Sequence, residues 1–173
     1  MGFTCSVCGS YHEAQLLDVR AARPELWLSL SDDEVEARTW DAGDFCTVET
    51  DDGRVHRFVR GLIEIPVPEL DHRFAYGIWV ELELDGFNDA LQRYYAPEVL
   101  AGDAQPRYEG WLATKLPLYS SSTVGLPGSL LLRPDNLAPA FLLDDVDHTL
   151  SAEQRDGISL HRVAELTAPY VTG

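Results

Sequence analysis

Residues Thr4 to His12 read TCSVCGSYH: two cysteines two residues apart, a glycine directly after the second, and a histidine with three residues between it and Cys8. A C-x-x-C turn presents two thiolates from one tight loop, and zinc takes four soft or borderline ligands in a tetrahedron. Gly9 suits the backbone turn that points both sulfurs the same way. Cys46 supplies a third sulfur if its strand lies beside the turn. His12 is the expected fourth ligand, with His56 and His148 as rivals. Two other readings use the same residues. A thioredoxin-like dithiol needs the motif to open a helix on a βαβ scaffold, and no strand of any length precedes Cys5. Three unrelated buried thiols would give the same count, because free cysteine is among the most buried residue types. Zinc is the expectation. A set of Cys5, Cys8, His12 and Cys46 would leave no open position for water or substrate, so the metal would be structural.

A second set of residues could do acid–base or anion chemistry. In VDHTLSAEQ, Asp147 and His148 stand side by side before a helix that brings in Glu153 and Gln154. Histidine needs only a modest shift to act near neutral pH, so an acid–base pair could arise there. The plainer reading is that Asp147 and His148 satisfy backbone groups at the helix entrance. Arg60 lies between Val59 and Gly61 in an apolar strand, where a charge must be compensated by a carboxylate or by an anionic ligand held in its fork. Trp79 and Trp111 are expected to pack the core or to floor a shared pocket. An enzyme would bring Arg60, Trp79, Trp111, Asp147, His148 and Glu153 together. No glycine cluster has the spacing of a phosphate loop or dinucleotide fingerprint, and SSSTVG lacks the G-x-S-x-G context of a hydrolase elbow.

These residues must be positioned by the elements around them. Ser31 with Glu34 three residues on is a capping-box signature for a short acidic helix. DFCTVETDDGRVHRFVRGLIEIPV reads as a hairpin turning at DDG, with extended runs on either side of Gly61. FAYGIWVELEL is a strand rich in aromatic and branched residues. In DGFNDALQRYYA the period becomes helical, through Phe87, Leu91, Tyr94 and Tyr95, until Pro97. EGWLATKLPLY returns to extended structure, and SLLLRP and APAFLLDD are two strands joined by a turn at PDN. Ser151 to Gln154 is a second capping-box signature. SLHRVAELTAPYV is a last amphipathic helix, with Leu160, Val163, Ala164 and Leu166 inward. Strands in runs with a few helices between them imply an α+β fold with a mostly antiparallel sheet and an N-terminal zinc-knuckle-like hairpin.

At 173 residues the chain has the length of one domain, 1–173, with the zinc-knuckle region within residues 1–60. Lys and Arg total 13 against 29 Asp and Glu, a formal net charge of −16. Such a chain repels phosphate backbones and anionic bilayers, so nucleic acid and membrane are not its expected partners. The plainer reading of the charge is solubility; the sharper one is a surface for a basic protein partner. No apolar run approaches the roughly 20 residues of a membrane span, and no basic-then-apolar leader opens the chain. Three cysteines, an odd count outside any secretory context, favour thiolates in a reducing compartment, so a cytoplasmic location is expected.

CSVCGSYH, DFC, FVRGLIEIP, FAYGIWVELEL, YEGWLATKLPLY and DHTLSAEQRDGISLHRV occur in this order over nearly the whole chain. Together they resemble the uncharacterised bacterial proteins grouped as domain of unknown function 2199. The resemblance implies that Cys5, Cys8, His12 and Cys46 belong together. It implies no activity.

Overall fold

A computed structural model describes residues 3–4, 8–12, 18–70, 72–96, 105–134 and 137–171. The strands among them are β1 (Phe3–Thr4), β2 (Tyr11–His12), β3 (Asp18–Arg20), β4 (Thr39–Asp41), β5 (Phe45–Glu49), β6 (Val55–Pro66), β7 (Arg73–Leu82), β8 (Arg107–Leu112), β9 (Pro127–Leu131) and β10 (Ala140–Leu143). The helices are α1 (Glu25–Leu28), α2 (Asp32–Arg38), α3 (Leu84–Tyr94), α4 (Thr149–Asp156) and α5 (Leu160–Val171).

The two longest strands organise everything else. Branched and aromatic residues make β6 and β7 favourable as strands, and they pair antiparallel from Phe58↔Glu81 to Pro66↔Arg73. The extended runs expected on either side of Gly61 belong to one strand, and β6 passes through it without interruption. Each of the two strands divides its outer edge between two partners. β6 takes β5 along Val55–Val59 and then, in parallel, β10 at Leu62↔Ala140. β7 takes β3 in parallel along Ala75–Gly77 and then β8 along Val80–Leu82. With β8–β9 and β9–β10 antiparallel, strands β6-β7-β8-β9-β10 return to β6 as a closed barrel of five. The mostly antiparallel sheet expected from the sequence is therefore a barrel closed by one parallel seam, β6–β10, with a second parallel pairing where β3 flanks β7. Flanking strands β5–β4 and β3 extend it.

A five-stranded barrel is narrow, and its interior shows this. Gly110 and Gly128 stand opposite each other in the β8–β9 ladder. A methyl group on Gly110 would lie 2.7 Å from side-chain carbons of Val80 and Leu82. One on Gly128 would lie 2.7 Å from the Phe141 ring and run into the Leu142 carbonyl oxygen.

Alternation along β6 and β7 sends residues to two cores. The larger fills the barrel and the contact with α3, α4 and α5, with Ile63, Ile65, Phe74, Ile78, Leu112, Leu130, Phe141, Leu150 and Val163 among its buried members. The smaller lies on the other face of β5–β7, where Cys46, Val48, Phe58, Trp79 and Ala113 pack under Ala21, Leu26, Trp27 and Leu30.

Helix ends are fixed by local chemistry. Ser31 and Glu34 form the reciprocal capping box at α2. The second such signature is corrected. α4 begins earlier, with His148 as N-cap. Ser151 instead donates to the Asp144 carbonyl, and the Gln154 side chain accepts from Leu143 N–H and donates to the Phe141 carbonyl. That amide occupies the edge of β10 where the strand has left β6.

Candidate functional site

β1 and β2 form a separate two-stranded antiparallel ladder, Phe3↔His12 and Thr4↔Tyr11, so the C-x-x-C interval lies in the connection between its strands. Cys8 is exposed, and Gly9 follows it with φ of 71°, a left-handed conformation that suits glycine. Cys5 and the side chain of His12 lie outside the described residues. Cys46 is on β5, fully buried among Val48, Phe58 and Trp79, and burial pushes its thiol up to about 12. No ladder among the described residues joins β5 to the β1–β2 pair. Among the described residues, no three His, Cys, Asp or Glu side chains are grouped to hold a metal ion. His56, a rival ligand by sequence, has its Nδ1 2.7 Å from the Glu81 carboxylate.

Beside Cys46 on the same face, Arg60 and Trp79 are cross-strand partners. The Arg60 guanidinium lies 5.0 Å from the centre of the buried Trp79 ring, and Arg23 reaches the same ring at 5.9 Å and Trp27 at 4.6 Å. These are cation–π distances. Arg23 is held by both oxygens of Asp41. Arg60 sits 3.6 Å from one oxygen of Asp44, whose other oxygen accepts from the Tyr94 hydroxyl at 2.7 Å. The compensating carboxylate expected from the sequence is thus Asp44. The backbone N–H of Trp79 donates to Thr114 Oγ1, while its indole Nε1 is buried without a hydrogen-bond partner among the described residues.

A third group lies where α4, α5 and the segment after β8 meet. Glu153 accepts from the Tyr119 hydroxyl at 2.6 Å and from Arg162 Nε at 2.8 Å, and the Arg162 guanidinium stands 5.6 Å from the Tyr119 ring centre. The Tyr76 hydroxyl adjoins that of Tyr119 at 3.5 Å. Burial pushes both phenols above their ordinary range. His148 caps α4 by accepting the Leu150 N–H at Nδ1, its Nε2 is 3.3 Å from the Ser121 carbonyl, and its ring neighbours that of Tyr119. The helix-entrance role foreseen for His148 is the one it has. Asp147 and His148 line an open concavity of about 510 Å³ with Asp145 and Arg155.

The six candidate pocket residues are therefore divided. Arg60 and Trp79 meet each other, His148 and Glu153 meet through Tyr119, and Asp147 faces the concavity. Trp111, expected in the core or as a pocket floor, is 39% exposed on the outside of the barrel, because the inward positions of β8 belong to Gly110 and Leu112. Sequence reading missed Tyr119 and Arg162, which join Glu153 across 34 and 9 residues, spacings without a periodic signature. Each carboxylate oxygen of Glu153 accepts from one donor, Arg162 or the Tyr119 hydroxyl, and the phenols are held protonated. These groups serve one another, and what they accomplish is to fix α4 and α5 on the barrel.

Fold and sites together define a single-domain α+β protein built on a closed five-stranded barrel. No helix among the described residues is long and apolar enough to cross a membrane. The family model described as "Uncharacterized protein conserved in bacteria (DUF2199)" matches residues 4–158, and the chain belongs to that family. No curated protein and no solved structure matches it.

Proposed function

We propose that this protein is a cytoplasmic binding module for a basic protein partner, with a structural zinc at its amino end. One observation carries the first part: the arginines are largely spent inside the molecule. Arg23, Arg38, Arg93, Arg133, Arg155 and Arg162 each close on a carboxylate. The surplus of carboxylates is left on the surface. Asp32, Asp33 and Glu36 are exposed on α2, whose Arg38 contacts Asp51 of the β5–β6 turn and so brings Asp51 and Asp52 into the same lobe. Such a surface draws basic proteins by steering and is screened by salt.

Titration calorimetry with an octalysine peptide tests this. Binding is expected at low salt, is lost near about 0.5 M salt, and weakens when Asp32, Asp33 and Glu36 are all changed to lysine. No heat at low salt would overturn the proposal.

The zinc reading is supported by the β1–β2 ladder bracketing Cys5 and Cys8 and by the left-handed Gly9 after them. Cys5, Cys8, His12 and Cys46 would hold the ion, which would supply folding free energy and no chemistry. Metal analysis of the purified protein, with one zinc per chain expected, tests it directly.

A further inference from the structure

On the reading of an acidic binding module, we infer that the outer face of β8–β9–β10 is where the partner docks, and that the occupant is an extended segment alternating basic and apolar side chains. The ladders fix the layout of this face. Trp111 stands opposite Pro127, Glu109 opposite Ser129, and Ser129 opposite Leu142. Trp111 and Leu142 are 39% and 43% exposed, on strands where every inward position is taken by the core.

Partly exposed tryptophan is a side chain that often anchors a protein interface. Beyond Leu142 the face dips into a concavity of about 230 Å³ lined by Leu142, Leu143, Asp145, Ser151, Gln154 and Arg155. A lysine or arginine could lay its aliphatic stem on the two leucines there and bring its charged head to Asp145, one oxygen of which already holds Arg155.

Charge fixes the class of occupant. Glu109 is exposed on β8, two residues from Trp111 and across Ser129 from Leu142; Glu81, which also meets His56, is the cross-strand neighbour of Trp111; and Asp144 and Asp145 are exposed just past the end of β10. Arg107 is the one base on these three strands. A second copy of this chain, itself at −16, would bring acid to acid, whereas a segment with basic residues between apolar ones satisfies anchors and rim together.

The test compares an alternating Lys–Leu octapeptide with octalysine and with an alternating Glu–Leu octapeptide, by calorimetry on the full chain. The Lys–Leu peptide should bind most tightly and the Glu–Leu peptide not at all. Trp111→Ala and Leu142→Ser should each weaken Lys–Leu binding about tenfold and leave octalysine binding unchanged. Both positions are on the surface, and a melting curve confirms that each variant folds. Amide shifts of Glu109–Trp111 and Ser129 on titration give the same answer without any variant. Lys–Leu binding that is indifferent to both substitutions and moves none of those amides overturns the docking face while leaving the acidic module standing. Failure of both lysine peptides to bind overturns the two together.

Discussion

Tyr119 and Glu153 share a 2.6 Å hydrogen bond that ties the segment after β8 to α4, and Arg162 of α5 closes on the same carboxylate. Glu153 has a side-chain exposure of 12%, so it is this pairing that keeps a nearly buried charge tolerable. Removing it should leave Arg162 with only the more exposed Glu165. Glu153→Ala is expected to cost about 2–3 kcal/mol, and Tyr119→Phe about 1 kcal/mol, both read from denaturant unfolding. Equal stability of Glu153→Ala and the parent would show that the three groups do not cooperate.

Asp89 gives the molecule an acid-sensitive anchor between α3 and β8. It accepts from the Tyr108 hydroxyl at 2.7 Å and from Arg93 at 2.8 Å, and these donors hold its carboxyl below the usual carboxylate range. A carboxyl lowered in the folded state contributes stability above its unfolded value of about 3.9, and that contribution is lost as pH falls through the lower folded value. Asp89→Asn should therefore be less stable than the parent at pH 7, by about 0.5 kcal/mol, since the carboxylate is 46% exposed and screened by water. The gap in Tm should close as the pH is taken below about 4. A gap that persists in acid would assign the effect to packing instead.

Two glycines should respond in opposite directions to alanine. Gly86 lies in the first turn of α3, where a methyl group would touch the Tyr108 side chain at ordinary distances of 3.6 and 3.9 Å. Gly86→Ala should raise stability by up to about 1 kcal/mol through helix propensity. Gly128→Ala drives a methyl into the backbone of β10 and should abolish soluble folded protein or lower Tm by more than about 10 °C. A tolerated Gly128→Ala would mean that the barrel is wider than described.

If zinc ties the amino end to the fold, Cys8→Ser and treatment with a strong chelator should lower Tm by similar amounts, and the variant should no longer respond to the chelator. A melting curve that neither treatment shifts would remove the metal from the account of this protein.

Local patterns carried the elements well and the closure of the barrel not at all. The Ser31–Glu34 box, the turn at Asp51–Gly53 and the helical period through Phe87 and Leu91 are interactions within a few residues, and each formed where its spacing placed it. Closure depends on Leu62 pairing in parallel with Ala140, which lies far along the chain and leaves no mark on either segment. Ser151 and Gln154 had the right types for a cap, but the barrel had open backbone groups on β10 that a side-chain amide satisfies, and that tertiary demand prevailed. For Trp111, alternation gives the parity of β8 but not which parity faces in. Gly110 decides it, because only a residue without a side chain fits the interior at that level. Arg60 was legible in kind, as a half-buried base needing a carboxylate, but its resting place on Trp79 follows from the β6–β7 register. The residues read as metal ligands were the most conspicuous in the sequence, and Cys46 among them is sealed in a core.

The divided outer edges of β6 and β7 have a mechanical corollary. Both long strands are shared property of the barrel and of the flanking β3 and β4–β5 strands, so neither part owns a complete set of backbone partners by itself. Pulling the amino-terminal strands away would strip the same two staves that keep the barrel shut. Probes placed on β5 and on β9 should therefore lose their signals at one denaturant concentration, as a single event.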